Sequence, residues 1–385
     1  MTPEEIELLS EMTVVIPTYN RPLALERSIE YWRDTPATVH ILDGSDAPWI
    51  YVGTLVDAPR ITYHHLPKKN NETDRENYNR RMLYSRSIID TEYVALCGDD
   101  DFFALSGLCA ILSELSRNKE VGGGVGATLW FNVVGGEFLC RAKYVDVLEN
   151  SDSNSQDVGR RLKFGLDLYY GILKTDIFVM RQSLAFGQDF KIDFYNEYLT
   201  QYLGRVITKS ISISQVCWLR QSLVPSQHTH RDNRKALTLR QSRESLRLFK
   251  TQLASGVQVG DPDISPHEAK RIVRKFLRNN WNSMTKISKL KSRIKAIVLR
   301  YLTVVSDKIP LAVKKRMNYL SKYFVSREIF VVMDFKKSLT IGRRQLDDLL
   351  IEFEKAGIKF NHGELRSFEK LLLMPREELR LRADI

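Results

Sequence analysis

The sequence predicts an α/β protein, with a sheet of βα units flanked by helices and then a mainly α-helical, strongly basic C-terminal region. Three observations lead there. From residue 13, short apolar and β-branched runs alternate with segments of helical periodicity, the pattern of strands joined by helices. Acidic clusters stand directly after two of those runs. The positive charge is also segregated: the net charge is +11, but between Ala269 and Phe324 sixteen Lys or Arg accompany one acid, Asp307, which leaves the rest mildly acidic. With 385 residues, 43% apolar and 27% charged, the chain has the composition of a folded globular protein and the length of about two domains, which excludes disorder and collagen. The expected division is an α/β domain over 1–235 and a helical basic region over 236–385.

Taken in order, Thr2 and Glu5 have capping-box spacing ahead of Ile6, Leu8 and Leu9, so a short leading helix is expected. Thr13 to Pro17 reads as a buried strand. Pro17 and Pro22 bracket a turn, after which Leu23, Leu25, Ile29 and Trp32 recur at helical spacing. Thr38 to Leu42 is the second strand, stopped by Asp43-Gly-Ser-Asp46, and Ile61 to His65 the third. A polar helix spans roughly Glu72 to Ile89. The fourth strand, Glu92 to Cys97, runs into Gly98-Asp-Asp-Asp101. A helix near Leu105 to Leu115 and apolar strands near Val125 to Val133 and Ser210 to Leu219 follow.

The four cysteines, Cys97, Cys109, Cys140 and Cys217, form no C-x-x-C pair, so neither a zinc knuckle nor a disulfide framework is indicated and a reducing cytoplasm is expected. Met1 to Glu5 carries no basic region ahead of an apolar stretch, and no window of about 18 apolar residues occurs. Secretion and membrane spanning are therefore not expected. Gly122-Gly-Gly-Val-Gly126 neither completes G-x-G-x-x-G nor opens a helix, which argues against a dinucleotide enzyme.

Asp43 and the Asp99 to Asp101 cluster fall at the carboxyl ends of strands, where open α/β sheets bind ligands. Three adjacent carboxylates repel one another, and burying them is costly without a cation. A hard divalent ion bound through oxygen, with diphosphate completing its shell, would neutralise them. A helix N-cap explains one of the three acids, and an ordinary turn explains Asp43-Gly-Ser-Asp46 equally well.

Read together, Val14-Val-Ile-Pro-Thr-Tyr-Asn-Arg-Pro22, Leu42-Asp-Gly-Ser45 and Glu92-Tyr-Val-Ala-Leu-Cys-Gly-Asp-Asp-Asp101 resemble the glycosyltransferase family 2 pattern on a GT-A fold. The likeness covers roughly residues 12 to 235 and is strongest up to Phe103. It implies a metal-dependent, inverting transferase that uses a nucleotide-sugar donor, most often a UDP-sugar, and Mn²⁺ or Mg²⁺. Carried over, Pro17, Thr18, Tyr19 and Arg21 of the first loop line the nucleotide pocket and Asp43 accepts a hydrogen bond from the base. Arg80 or Arg81 lies near base or diphosphate. Many relatives have an acid where this chain has Gly98, so the metal pair is Asp99 and Asp100, with Asp101 a further ligand. The resemblance also implies a base at the start of a later helix, about eleven residues before a glycine leading into a strand. Asp193 fits through Gly204, and Glu197, one turn on, is the alternative. Arg220 and then His228 and His230 follow the strand at Ser210 to Leu219, on a segment where relatives often place a histidine or arginine near the metal or diphosphate.

In the C-terminal region Ile287, Leu290, Ile294, Ile297 and Tyr301 form an apolar stripe flanked by Lys286, Lys289, Lys291, Arg293 and Lys295. That basic amphipathic helix suits either packing on the α/β domain or an anionic membrane surface at the inner face of the cell membrane, where lipid-linked acceptors are found. Leu346 to Leu381 reads as helical with breaks at Gly357 and Gly363, fit for packing or for homo-oligomerisation. Two competing readings are a nucleotidyltransferase and a non-catalytic membrane or nucleic-acid adaptor. The first needs a Gly-rich first loop, which Pro17 to Arg21 is not. The second leaves three strand-end acids unexplained and lacks an RNA-binding motif, so nucleic acid is not an expected partner.

Overall fold

The computed structural model describes residues 1–49, 55, 58–134, 137–145, 154–166, 168–188, 190, 193–221, 239–278, 338–344, 346–355 and 357–374. Helix α1 (Pro3–Ser10) starts on the expected capping box: Glu5 N–H donates to Thr2 Oγ1 at 3.2 Å and Thr2 N–H to Glu5 Oε2 at 2.7 Å. Two donors that a helix start leaves open are thereby satisfied. Strands β1 (Met12–Thr18), β2 (Thr38–Asp43), β3 (Ile61–His65) and β4 (Tyr93–Leu96) pair in parallel in the order β3-β2-β1-β4. Helix α2 (Pro22–Trp32) connects β1 to β2, and α3 (Asp74–Tyr84) lies between β3 and β4. Covered on both faces, β1 is apolar almost throughout, and its Val14 and Ile16 join Val39, Ile41 and Ala95 against Leu25, Ile29 and Trp32 of α2.

Beyond β4 the sheet turns antiparallel. β8 (Ile172–Lys174) pairs with β4, β6 (Val121–Val134) with β8, and β7 (Glu137–Val145) with β6. β9 (Lys209–Gln221) runs parallel to β6 and also carries the short β5 (Phe102–Phe103). Helix α4 (Leu105–Arg117) packs its Leu108, Ile111 and Leu112 into the first core. Helices α5 (Val158–Phe164), α6 (Thr175–Phe186), α7 (Asp193–Ile207), α8 (Leu239–Gly260) and α9 (266–278) complete the middle of the chain. Gly122 to Gly126 lie inside β6.

The four strands and the polar helix fall where the sequence predicts them, within a few residues. The polar helix is shorter than expected. It ends at Tyr84 because Ser85 and Ser87 turn their hydroxyls back onto the carbonyls of Met82 and Tyr84, which tightens the chain into a 3₁₀ turn. Gly204 does not lead into a strand: it sits within α7 against Leu168, and β9 begins at Lys209. Gly357 does mark a break, at φ 68°, but Gly363 lies inside a helix capped by Asn361.

The C-terminal end departs most from expectation. The chain divides into one unit of residues 1–270 with 337–385 and a second of 271–336, so the sequence boundary at 235 does not separate two compact bodies. Strand β10 (Ser338–Arg344) adds antiparallel to β7, and α10 (Leu346–Lys355) and α11 (His362–Leu373) cover a second core made by Phe102, Leu129, Phe131, Phe138 and Leu219. Phe368 sits at its centre, with ring centroids 5.0 Å from both Phe102 and Phe131. Glu364 of α11 caps α4: it accepts from Leu105 N–H, from Ser106 N–H at 3.3 Å and from Ser106 Oγ at 2.6 Å. Ala104, the residue at the N-cap of α4, has no side chain able to do this. The basic helix expected over Ile287 to Tyr301 lies outside the described residues. Among the described residues no helix is long and apolar enough to cross a membrane.

At the β2–β3 edge, His40 Nδ1 and His64 Nε2 lie 3.1 Å apart and His64 Nδ1 lies 3.2 Å from the Tyr84 hydroxyl. Burial holds both imidazoles below the usual histidine range, His40 against the opposing pull of Asp90. The folded protein keeps them neutral while an unfolded chain protonates near pH 6.5, so stability from this pair is complete above about pH 7 and declines as pH falls through about 6.5. Urea titrations should find a smaller loss between pH 7.5 and pH 5.5 in His40→Leu than in wild type. Phe368→Ala should cost about 3–5 kcal/mol in the same titration at neutral pH, the usual cost of an aromatic truncation in a core.

Candidate active site

Because β1 and β4 are neighbours, their carboxyl ends bring the loop Pro17 to Arg21 against Gly98 to Asp101. Thr18 Oγ1 donates to Asp99 Oδ2 at 2.7 Å. The Arg21 guanidinium spans two acids, Nη1 to Asp99 Oδ1 at 2.5 Å and Nη2 to Asp100 Oδ2 at 2.7 Å. Asn20 adopts a φ of 53°, a left-handed conformation that Asn tolerates better than most residues, and its N–H donates to Ser45 Oγ at 2.8 Å. Asp101 is held from the far side, where its Oδ1 accepts from the Gln221 N–H at the end of β9 at 3.0 Å.

Asp43, at the end of β2, is 2% exposed and has three protein donors. Its Oδ1 accepts from Ser45 N–H at 2.8 Å and Ser45 Oγ at 2.5 Å, and its Oδ2 from the Tyr63 hydroxyl at 2.6 Å. That hydroxyl accepts in turn from Trp49 N–H at 2.8 Å, so the carboxylate organises the turn after β2. Beneath it lies Arg81, also buried, whose Nη1 donates to the carbonyls of Thr18 at 2.8 Å and Leu42 at 2.6 Å while its Nε donates to Asn77 Oδ1 at 2.9 Å. One side chain thus ties the carboxyl ends of β1 and β2 to α3. Gly44 makes this possible: a Cβ there would stand 2.5 Å from Asn77 Oδ1 and 2.8 Å from Arg81 Nε. Arg80 faces elsewhere, bonded to Glu72 at 2.8 Å and to the Pro67 carbonyl at 2.7 Å. Tyr19 lies under Lys68, whose Nζ is 5.8 Å from the ring centroid.

Charge is crowded at the end of β4. Burial pushes the Asp99 carboxyl up to about 7, with Arg21 pulling down and Asp100 pushing up. Burial and then Asp100 push Asp101 up to about 8. A cation at this edge would reverse both shifts. Among the described residues no group of three or more His, Cys, Asp or Glu side chains is placed to hold a metal ion by itself. Two oxygens of the acidic triplet nevertheless have no donor among the described residues, Asp100 Oδ1 and Asp101 Oδ2, and each lies 3.3 Å from the position a Cβ on Gly98 would take. Two carboxylate oxygens on one side of a glycine fit a hard divalent ion that draws its remaining ligands from substrate phosphate and water.

Helix α7 begins at Asp193, whose side chain lies outside the described part of the structure, as do His228 and His230. Glu197 is exposed one turn along. It is close enough to raise the phenols of Tyr78, Tyr169 and Tyr170, which burial raises first, and Tyr170 also feels Asp101. The buried Asn196 donates from Nδ2 to Asn79 Oδ1 at 2.8 Å, which fastens α7 to α3.

Of the residues the sequence singled out, the structure brings the first loop and the acidic triplet together, and it buries Arg81 beneath them on two carbonyls and Asn77, where it does not face the open side of the site. Arg80 it leaves outside. Sequence reasoning missed Tyr63, Asn77, Asn79, Asn196 and the tyrosines around Tyr170, which no motif marks. Gly44 was visible within Asp43-Gly-Ser45, and its close packing under Arg81 is the reason for a glycine there.

No protein-family model matches the chain, and no curated protein does. Among solved structures the chain is similar to S. aureus TarS 1–349, at 12% identity and a TM-score of 0.44, over 70% of this chain and 72% of that one. It is similar also to TarS 1–349 in complex with UDP-GlcNAc (14% identity, TM-score 0.40) and in complex with UDP (13%, 0.41), each over the same 70% and 72%.

Arg81→Met keeps the bulk of the side chain and removes the donors for two carbonyls. It should lower stability by roughly 2–5 kcal/mol, the desolvation cost of two unsatisfied acceptors, as read by urea denaturation. Arg80→Met, at a half-exposed ion pair, should cost at most about 1 kcal/mol.

Proposed function

We propose that the chain is an inverting glycosyltransferase that moves a sugar from a nucleotide-sugar donor, a UDP-sugar, to a hydroxyl of a glycan or lipid-linked acceptor. The observation that carries this reading is the meeting of Thr18 and Arg21, from the loop after β1, with the three carboxylates after β4, at the carboxyl edge of a parallel sheet and with Asp43 one strand further on. Such an edge supplies a nucleoside pocket and a diphosphate and cation site side by side. The likeness of the three motifs to glycosyltransferase family 2 supports the same reading.

In this scheme Pro17, Thr18, Tyr19 and Arg21 line the donor, Asp43 shapes the turn that meets the base, and Arg81 steadies both loops from below. Asp100 and Asp101 offer their open oxygens to Mn²⁺ or Mg²⁺, with Asp99 holding Arg21 and Thr18, and with His228 and His230 as further ligands. When bound, the ion acts as a Lewis acid that draws off the negative charge developing on the departing diphosphate. The acceptor oxygen attacks the anomeric carbon from the face opposite the leaving oxygen and inverts that centre. Its proton passes to the carboxylate of Asp193, or of Glu197 one turn on, and the electron pair of the broken C–O bond leaves with the nucleoside diphosphate. The basic segment between Ala269 and Phe324 would bring the enzyme to the anionic inner face of a membrane, where a lipid-linked acceptor is within reach.

Calorimetric titration with UDP, GDP and CDP, with and without Mn²⁺, tests the scheme. Metal-dependent binding of UDP is expected, together with a stabilisation of about 2.7 kcal/mol at a hundredfold excess over Kd. Asp100→Asn should lose that binding. Asp193→Asn should keep it and lose transfer by about 10²–10⁴-fold. Retained transfer in both variants would overturn the site.

A further inference from the structure

Beyond the acidic triplet, on the side away from β1 and β2, the sheet holds an arginine in an aromatic box. Register places Arg220 of β9 beside Trp130 of β6, and Trp218 precedes Arg220 by two residues on the same face. The guanidinium centre lies 4.4 Å from the Trp130 ring centroid, 4.9 Å from Trp218 and 5.9 Å from Tyr170. Tyr170 itself stacks on Trp218 with centroids 4.4 Å apart. The opposite face of these strands, Leu129, Phe131 and Leu219, is covered by α10 and α11.

Arg220 differs from its neighbours in what it does with its hydrogens. Arg21, Arg80 and Arg81 have theirs engaged by carboxylates and carbonyls. Among the described residues, Arg220 forms neither a hydrogen bond nor an ion pair, though its charge reaches Asp101 and Tyr170, and it is half-exposed. Three rings hold its plane by cation–π contact, each worth about 0.5–2 kcal/mol. They fix a side chain that would otherwise lose rotamer entropy on binding, and no acceptor among the described residues takes its N–H groups. A planar fork with open donors matches a carboxylate or phosphate, which it binds through two parallel hydrogen bonds.

Position identifies whose oxyanion it is. The next residue, Gln221, donates its N–H to Asp101, so the box adjoins the acidic triplet. Tyr170, one wall of the box, lies within electrostatic reach of both Asp101 and Glu197. The box therefore adjoins the triplet and lies within electrostatic reach of the helix that carries Asp193 and Glu197, across β4 from the nucleoside loops. We infer that the Arg220 box is an anion subsite for the acceptor: it takes a phosphate or carboxylate group on the incoming glycan or its lipid carrier and so orients the hydroxyl that attacks. The word acceptor rests on the glycosyltransferase reading; the anion site itself does not.

Inorganic phosphate is the probe, added at constant ionic strength while tryptophan emission is followed, because Trp130 and Trp218 face the guanidinium. Wild type should give a saturable response that persists with UDP and Mn²⁺ at saturation. Arg220→Gln should weaken the apparent affinity at least about tenfold, the scale of a lost charged hydrogen bond, and Arg220→Lys should fall between. Melting temperatures of both variants identify any that fail to fold, and Arg220→Lys then carries the comparison. No saturable response in wild type, or an unchanged one in a folded variant, would overturn the site. Competition by UDP would assign the box to the donor diphosphate and overturn the acceptor assignment. UDP binding measured on the same samples separates the two proposals: phosphate binding without UDP binding sinks the transferase reading alone, and the reverse sinks the box alone.

Discussion

Carboxylates buried at the end of β4 impose the constraint around which this edge of the molecule is arranged. Asp99 and Asp101 are 3% and 5% exposed, and a charge taken out of water must be met by opposite charge or by donors. The fold answers with three separate segments. The first loop sends Thr18 and Arg21, β9 sends the Gln221 N–H, and Gly98 leaves room on the remaining side. The loop can reach Asp99 because Arg81 fixes its carbonyl from below, and Arg81 can lie there because residue 44 has no side chain. Removing any one of these weakens the support of the others, so loop, turn and helix α3 behave as one unit.

The parallel half of the sheet was legible in the sequence for a physical reason. Strands buried on both faces must be apolar throughout, and Val14 to Ile16, Val39 to Leu42 and Val94 to Leu96 have few other ways to be satisfied. The acids after β2 and β4 stand out against that background. In the antiparallel half β6 and β9 were expected, whereas β5 and β8, of 2 and 3 residues, are too short to carry a pattern. Trp130, Trp218 and Arg220 look like ordinary outward residues until the register sets them side by side. The Tyr63 partner of Asp43 was invisible as well, since it lies 20 residues away and only the pairing of β2 with β3 brings it near.

The C-terminal end misled for a related reason. Periodicity identified helices around Leu349 and Leu371 but carried no information about what their apolar faces cover. They cover the outer strands, and β10 extends the sheet, because β6, β7 and β9 present Leu129, Phe131, Phe138 and Leu219 on one face. A basic composition upstream suggested a separate module, whereas these last elements belong to the first unit.

Glu364 caps α4 across 259 residues of chain. A ribosome adding about 5–20 residues per second delivers that carboxylate roughly 10–50 s after Leu105. Through that interval the start of α4 has its amide donors open, and the Phe102 and Phe131 side of the sheet faces solvent or a chaperone. The acidic strand end lies just upstream of that helix start, so its surroundings are complete only after α11 has been made. A chain that stops short of α11 lacks both that cap and the Phe368 side of the second core.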